Sequence, residues 1–425
     1  ILEGMIQGDL VLVEAGAFVR PDARVEGDLV NVAGGLYRSE VSHVGGTILD
    51  LATATYRVEH QGRVHVIIGA GAPSPLDLDG VLGFHVPTYD RVNGITAVWG
   101  ATLYAPMLGE MQPFIHGEVG WRTQQGEPVY GASAGVRRGP YVLEGGYQRR
   151  SSTNERWIRG DGNNTLNYLW SGRDYRDYHD VERAWSELSR VVGDEEKSFF
   201  GRVAARFQTE DAASLRGGDP WHIQGDSARP NPAIDDGRTT SAMGIVEVEW
   251  RGIETSFEGG LTFEQALDAL DGDFTFSRLT ATGEWAMRAF ANHTLEVEGH
   301  GQLPLSGDPL PRQRWSFVGG SGTLQTLEFA QFRGDHVAYV ETKYIIPAPR
   351  HWALPILGAP DLELIHATGM AWLEGEDSGL HQEIGARLQF FALYFRYMFE
   401  PDAIGDGDLD ISLSWPFGGD HPWIP

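Results

Sequence analysis

The chain predicts an all-β protein, a transmembrane antiparallel β-barrel of about 14 strands (roughly 12–16) preceded by a short parallel β-solenoid. Three observations predict it. Over most of the sequence, apolar or small side chains alternate with charged ones, as in Phe199, Gly201, Val203, Ala205 and Phe207 against Arg202, Arg206 and Gln208. Successive strand side chains point to opposite faces, so each stretch is a strand with one apolar and one wet face. Aromatics gather near strand ends (Trp99, Trp121, Tyr147, Trp250, Trp285, Trp372, Tyr397, Trp415), which suits interfacial girdles. Short turns alternate with long polar loops, as in outer-membrane barrels. A soluble sheet sandwich would bury the same apolar faces, but its core would take bulky Val, Ile and Leu where this chain repeats Gly and Ala.

The elements follow in order. Gly8-Asp9-Leu10-Val11-Leu12-Val13 returns nineteen residues later as Gly27-Asp28-Leu29-Val30-Asn31-Val32, with a third start at Gly46-Thr47-Ile48-Leu49. Short β runs broken by Gly at a fixed period suit a parallel solenoid that buries its apolar row by stacking. Residues 1–51 are therefore read as periplasmic solenoid rungs, truncated upstream, with Val25, Leu29 and Val44 in the buried row; a pair of hairpins is the alternative. The run resembles the bactofilin-type polymer-forming solenoids, which implies self-association through this segment. Residues 52–90, with Gly69-Ala70-Gly71-Ala72-Pro73-Ser74-Pro75, read as a linker or plug-like segment.

Residues 91–417 carry the barrel and 418–425 a tail. Ile95, Ala97, Trp99, Ala101 and Leu103 open the alternation, followed by Ile115 to Trp121, Tyr130 to Val136 and Tyr141 to Tyr147. An insertion from Ser151 to Lys197 interrupts it, and Val181, Trp185, Leu188 and Val192 at helical spacing predict a short amphipathic helix there. Strands resume at Phe199 and Ala242, and run on to Leu409–Trp415. The wet faces carry Glu118, Glu144, Glu247, Glu249, Glu254, Glu258, Glu296 and Glu298, with Arg202, Arg206 and Arg387 among them. Neighbouring glutamates repel unless cations sit between them, and these arginines, with Arg122, are available as lumen-facing partners.

The balance of 33 Lys+Arg against 59 Asp+Glu, a formal charge of −26, opposes nucleic-acid binding. Without cysteine there are no disulfides and no thiolate metal sites. No run of apolar residues is long enough for a membrane-spanning helix. Asp406-Gly407-Asp408-Leu409-Asp410 and Asp77-Leu78-Asp79-Gly80 lack the twelfth-position Glu of a calcium loop. His179-Asp180-Val181-Glu182 lacks metal-ligand spacing, and Gly319-Gly320-Ser321-Gly322 lacks the strand-turn-helix context of a nucleophile elbow. No cofactor, metal or catalytic residue is expected.

The order of several pieces is more specific than any one. Gly301-Gln302-Leu303-Pro304 leads to Phe317-Val318-Gly319-Gly320-Ser321-Gly322-Thr323-Leu324-Gln325-Thr326-Leu327, then to Glu341-Thr342-Lys343-Tyr344-Ile345-Ile346-Pro347. Together with Tyr89-Asp90-Arg91-Val92-Asn93-Gly94 and Asp174-Tyr175-Arg176-Asp177-Tyr178, they resemble the BamA/TamA-type surface-antigen barrels of bacterial outer membranes. The resemblance implies a loop motif at Gly319, Gly320, Leu324, Gln325 and Leu327, and protein insertion or translocation as the family's activity. It departs where the family's loop-tip Arg is matched by Gln325, its Gly by Thr326, and its acid by Ala367. Leu409 to Phe417 resembles the aromatic-ended terminal strand read by the barrel-assembly machinery. The expected function is a non-catalytic structural anchor or component of an envelope assembly in the outer membrane, with its N-terminal segment in the periplasm. A cation-favouring transport or protein-translocation pore and a secreted glycan-binding β-protein are the alternatives. The expected partners are outer-membrane lipid, the assembly machinery and other envelope proteins.

Overall fold

The computed structural model describes residues 2, 4–13, 17–21, 23–39, 42–51, 56–60, 64–68, 75–194, 198–224, 229–290, 292–354, 358–376, 379–391, 393–403 and 405–414. It divides into two compact units, residues 1–75 with 192–200, and residues 76–191 with 201–425.

In the first unit the repeat is a parallel stack. Strands β1 (Met5–Ile6), β2 (Leu10–Val13) and β3 (Ala17–Val19) form one rung, β4 (Arg24–Val25), β5 (Leu29–Val32) and β6 (Leu36–Arg38) the next, and β7 (His43–Val44) with β8 (Ile48–Leu51) a third. The ladders run β1-β4-β7, β2-β5-β8 and β3-β6, all parallel, with Leu10 opposite Leu29 and Leu29 opposite Ile48. Parallel pairing excludes the hairpin alternative. The Gly-Asp signature has a steric reason: the Asp9 carboxylate accepts the Asp28 N–H at 2.8 Å, and Asp28 accepts that of Thr47 at 2.7 Å. A Cβ on Gly27 or Gly46 would stand 2.2 Å from the accepting oxygen. Val25 and Leu29 are fully buried, and Val44 in the outer rung is half-buried. An antiparallel hairpin, β9 (Tyr56–His60) with β10 (Val64–Ile68), follows.

The second unit is the barrel wall. Strands β11 (Leu76–Leu78) and β12 (Thr88–Asp90) both pair with β13 (Gly94–Tyr104), one against each half, so they are a single interrupted stave. The wall thus begins inside the segment read as a linker. It continues through β14 (Met111–Arg122), β15 (Glu127–Arg138), β16 (Tyr141–Ser152), helix α1 (Asp161–Ser171), β17 (His179–Asp194), β18 (Phe199–Ser214), β19 (Gly237–Arg251), β20 (Thr255–Ala266), β21 (Phe276–Arg288) and β22 (Thr294–Gly307). A small hairpin, β23 (Ser316–Val318) with β24 (Phe332–Gly334), interrupts before β25 (His336–Pro347), β26 (Asp361–Trp372), β27 (His381–Gln389), β28 (Leu393–Phe399) and β29 (Asp408–Leu413). Counting β11 and β12 as one, the seventeen-stranded antiparallel sheet has sixteen staves, two more than the central sequence count and within its range.

Two expectations are corrected here. Val181, Trp185, Leu188 and Val192 lie on strand β17, not on a helix: the first two are buried or half-buried, and Leu188 and Val192 face outward. Apolar residues on both faces of a strand imitate a helical spacing. The helix is α1 instead. Glu254 lies in the turn before β20, outside the wall's wet face. Residues 415–425, including the aromatic end expected of the last strand, lie outside the described residues.

Elsewhere the alternation holds. Outward-facing Leu103, Ile115, Val119, Leu143 and Val203 are each more than half exposed, as a lipid-facing surface requires, while charged side chains point inward. Leu261, midway along β20, is part of this outer face. Leu261→Arg should cost about 2–4 kcal/mol, the range for a cation near the bilayer midplane, read by urea unfolding from lipid vesicles. An unchanged midpoint would contradict the assignment of that face to lipid.

Candidate functional site: a strapped lumen

Two connections on the long-loop side fold back among inward-facing side chains: residues 153–178, which carry α1, and residues 308–335, which carry β23 and β24. Charge holds them there.

The first anchor is Asp177. Its Oδ1 accepts from Arg91 at 3.0 Å and from Arg229, and its Oδ2 accepts from Arg333, so three guanidiniums from three separate segments converge on one carboxylate. Arg91 is fully buried. It also donates to Asp174 at 3.3 Å and to the Arg176 carbonyl at 2.7 Å, which joins the two motifs singled out around Arg91 and Asp177. Burial alone would raise Asp177, but Arg229, Arg333 and Arg91 hold it below the usual carboxylate range. Glu155 accepts the Asp177 N–H at 3.1 Å and the Thr153 hydroxyl at 2.7 Å. Burial, and then the charge of Asp177, push it up to about 7.

The second connection is fastened at both ends. Near its start, Arg314 donates to Glu264 on β20 at 3.2 Å and pairs with Glu210 on β18 at 2.9 Å; those carboxylates also take Arg278 and Arg183. At its tip the Thr326 N–H donates to Glu383 on β27 at 2.9 Å, and Gln325 donates to the Arg396 and Asp408 carbonyls at 3.2 and 2.8 Å. Gly319 and Gly320 turn the chain at φ +120° and +90°, and a Cβ on Gly319 would stand 2.4 Å from the Glu328 carbonyl. Leu324 packs with Val318, Val337, Tyr339, Ala367 and Ala371, and Leu327 lies against the same cluster.

Neither Gln325 at the loop tip nor Ala367 on the wall carries a charge, yet an ion-paired cluster lies beside position 367. Ala367 is flanked in register by Glu341 on β25 and Glu383 on β27, and Arg396 on β28 donates to both, at 2.7 and 3.4 Å. The buried arginine and both of its acids thus stand on wall strands, β28, β25 and β27, and not on the loop.

Other sequence-predicted charges face the lumen in pairs. Glu118 pairs with Arg150, Arg202 bridges Glu187 and Glu247, Arg206 binds Glu187, Arg387 binds Glu363, and Lys343 bridges Glu296 and Glu298. Arg122 binds Asp180 and Glu127. Glu144 stands opposite Glu187. One row was not foreseen: Glu249, Glu258, Glu284, Glu298 and Glu341 are consecutive cross-strand neighbours from β19 to β25. Counting along the alternation in adjacent strands would have found it, because the register follows from the short turns.

The wall's closure is unusual. Among the described residues no ladder joins β29 to the first stave, and α1 stands between them. The Asn167 side chain donates to the Leu413 carbonyl at 2.9 Å and accepts its N–H at 3.3 Å, as a neighbouring peptide group would. Thr165 accepts the Tyr89 N–H of β12 at 3.0 Å. The helix ends at Gly172, φ +72°, whose N–H returns to Tyr168. Its buried face is Asn164, Asn167 and Tyr168, so no apolar periodicity announced it.

No protein-family model and no curated protein matches the chain. Solved structures do. CdiB from Escherichia coli matches at 12% identity over 85% of this chain and 67% of that chain, with a TM-score of 0.42; CdiB from Acinetobacter baumannii matches at 13% over 85% and 66%, TM-score 0.43. BamA from Haemophilus ducreyi, lacking POTRA domains 1–3, matches at 10% over 85% and 74%, TM-score 0.49. This chain therefore spans about two thirds of the two CdiB chains, and the likeness is one of fold.

Two outcomes follow. Asp177→Ala leaves three arginines without their shared acceptor and should cost about 3–5 kcal/mol, as breaking a buried ion pair does; protease cleavage between residues 153 and 178 should speed up accordingly, and an unchanged rate would remove Asp177 as an anchor. Because Glu155 binds its proton more tightly folded than unfolded, its contribution is full below its ordinary value of 4.5 and is lost as pH rises to about 7. Glu155→Gln keeps an acceptor without the charge and should flatten the decline in urea stability between pH 4.5 and 7.

Proposed function

We propose that this chain is a bacterial outer-membrane barrel that handles other polypeptides, inserting them into the membrane or passing them across it, without a catalytic step. The single observation that carries the reading is the seam: the last and first staves are bridged by helix side chains, with no ladder between them among the described residues. An unpaired strand edge is a template for another chain's backbone, and here that edge is covered by groups that can leave one hydrogen bond at a time. The plug supports the same reading, since straps held by ion pairs and hydrogen bonds to a polar wall can be exchanged for another polar backbone. A structural anchor needs neither feature. The fold shared with BamA and CdiB fits this reading, as does the motif resemblance to surface-antigen barrels.

In this reading the outer face meets outer-membrane lipid and the barrel-assembly machinery inserts the chain. The N-terminal parallel segment lies in the periplasm. The test is reconstitution of the full chain in lipid vesicles with an unfolded barrel protein as client. Folding of the client faster than in empty vesicles is the expected result, with a further rise for Asn167→Ala, which uncovers Leu413. Equal rates with and without the chain would overturn the proposal. Faster amide exchange at Leu413 in Asn167→Ala, measured without client, checks the seam itself.

A further inference from the structure

Between the two straps and the wall lies a cavity of about 250 Å³. On the wall side it is lined by Glu247, Gly260, Thr282 and His300, consecutive cross-strand neighbours from β19 to β22. On the other side it is lined by Asn154, Arg156 and Trp157 of the first connection and by Gln313 and Arg314 of the second.

The charge around this space does not balance. Among the described residues, five arginines and two glutamates line it. Arg206 finds its counter-charge in Glu187, outside the lining. Arg183, Arg278 and Arg314, however, share two carboxylates, Glu210 and Glu264, and none of the five side chains is more than 17% exposed. A surplus of buried positive charge is costly unless an anion meets it.

The same lining holds hydrogen-bonding groups that the protein does not use. Gln313 is 3% exposed, and among the described residues neither the oxygen nor the nitrogen of its amide has a partner; His300, at 7%, has none on either ring nitrogen, and His179, at 4%, has none on Nε2. They come from three separate segments, the second strap, β22 and β17. Trp157 stacks on the His300 ring, with centroids 4.2 Å apart and planes within 4°, so the imidazole is held in place by a contact that leaves its nitrogens unused. Polar groups sealed from water without partners destabilise a fold. Three of them converging on one cationic cavity are explained by a ligand.

The donors and acceptors define its chemistry. Guanidiniums only donate, so they call for negatively charged oxygen. The Gln313 amide offers an acceptor as well as donors whichever way it is turned, so the ligand must also carry a hydroxyl, which sulfate and chloride lack. A cavity of roughly 150 Å³ already admits a six-membered ring, and this one has room for such a ring and its anionic group.

We propose that the cavity binds a small hydroxylated oxyanion of the sugar phosphate class, its charge met by the arginines and its hydroxyls by Gln313, His179 and His300. Touching both straps and the wall at once, the bound anion stabilises the seated plug. The site is independent of any polypeptide the barrel handles.

Isothermal titration of the full chain in lipid discs with glucose 6-phosphate tests this, with glucose and sulfate as controls. Saturable binding of one glucose 6-phosphate per chain is expected, roughly tenfold or more tighter than either control, since each control lacks one of the two kinds of contact. His300→Phe keeps the stack on Trp157, and Gln313→Leu keeps the bulk. Each removes polar atoms that no protein group uses, so each should weaken binding roughly tenfold while leaving the urea midpoint unchanged or raised. A purely structural role would lower the midpoint instead. Absence of binding, glucose or sulfate binding as tightly as glucose 6-phosphate, or parent affinity in both variants would each overturn the proposal. If neither variant folds, proteolysis of the parent between residues 308 and 335 decides: glucose 6-phosphate, and not glucose, should slow it, and an unchanged rate would count against the site.

Discussion

The plugged lumen depends on one carboxylate. Asp177 collects Arg91 from the turn after the first stave, Arg229 from the loop between β18 and β19, and Arg333 from the short strand β24. Remove it, and one fully buried guanidinium, Arg91, and two partly buried ones, Arg229 and Arg333, lose their shared counter-charge. Buried ion pairs of this kind contribute little to net stability when compared with a packed apolar core, because desolvating both partners offsets their attraction. What they contribute is position. An apolar plug could slide in an apolar lumen, whereas one fixed by guanidinium-carboxylate geometry has a single seat.

That arrangement also explains the composition of the wall. Facing lipid outside and charge inside, each stave has no hydrophobic core of its own, and its apolar surface is satisfied only by the bilayer. The inner face must then neutralise itself, and it does so across strands: Arg202 between Glu187 and Glu247, Lys343 between Glu296 and Glu298, Arg396 between Glu341 and Glu383. Ala367, uncharged between Glu341 and Glu383, joins Leu324 in an apolar contact, so the loop tip meets the wall by packing beside a neutralised cluster.

The alternation made the wall legible because a lipid-facing barrel leaves its signal in every strand, and the Gly-Asp repeat made the parallel stack legible because each glycine clears room for the previous rung's aspartate. The first stave was missed because it is broken: three residues at each end of an excursion carry no period. Strand β17 was missed because Val181 and Trp185 face inward beneath the plug while Leu188 faces lipid, so its apolar residues fall on both sides. Helix α1 was missed for the opposite reason. It buries asparagine, and a side chain that hydrogen-bonds a strand edge has no hydropathic signature at all. The motifs around Arg91 and Asp177 were visible as motifs, but that one binds the other is a fact of three dimensions.

The two unusual features of the barrel, the helix at the seam and the strapped plug, belong to one connection. Residues 153–178 supply both Asp177 and Asn167, and Asn164 ties them together by donating to Asp174 at 3.1 Å while accepting the Tyr175 N–H at 2.9 Å. The same connection thus reaches from the arginines around Asp177 through α1 to the edge of β29, where Asn167 holds Leu413. Plug and seam are therefore built from one contiguous connection, with Asn164 joining the anchor of the one to the helix of the other.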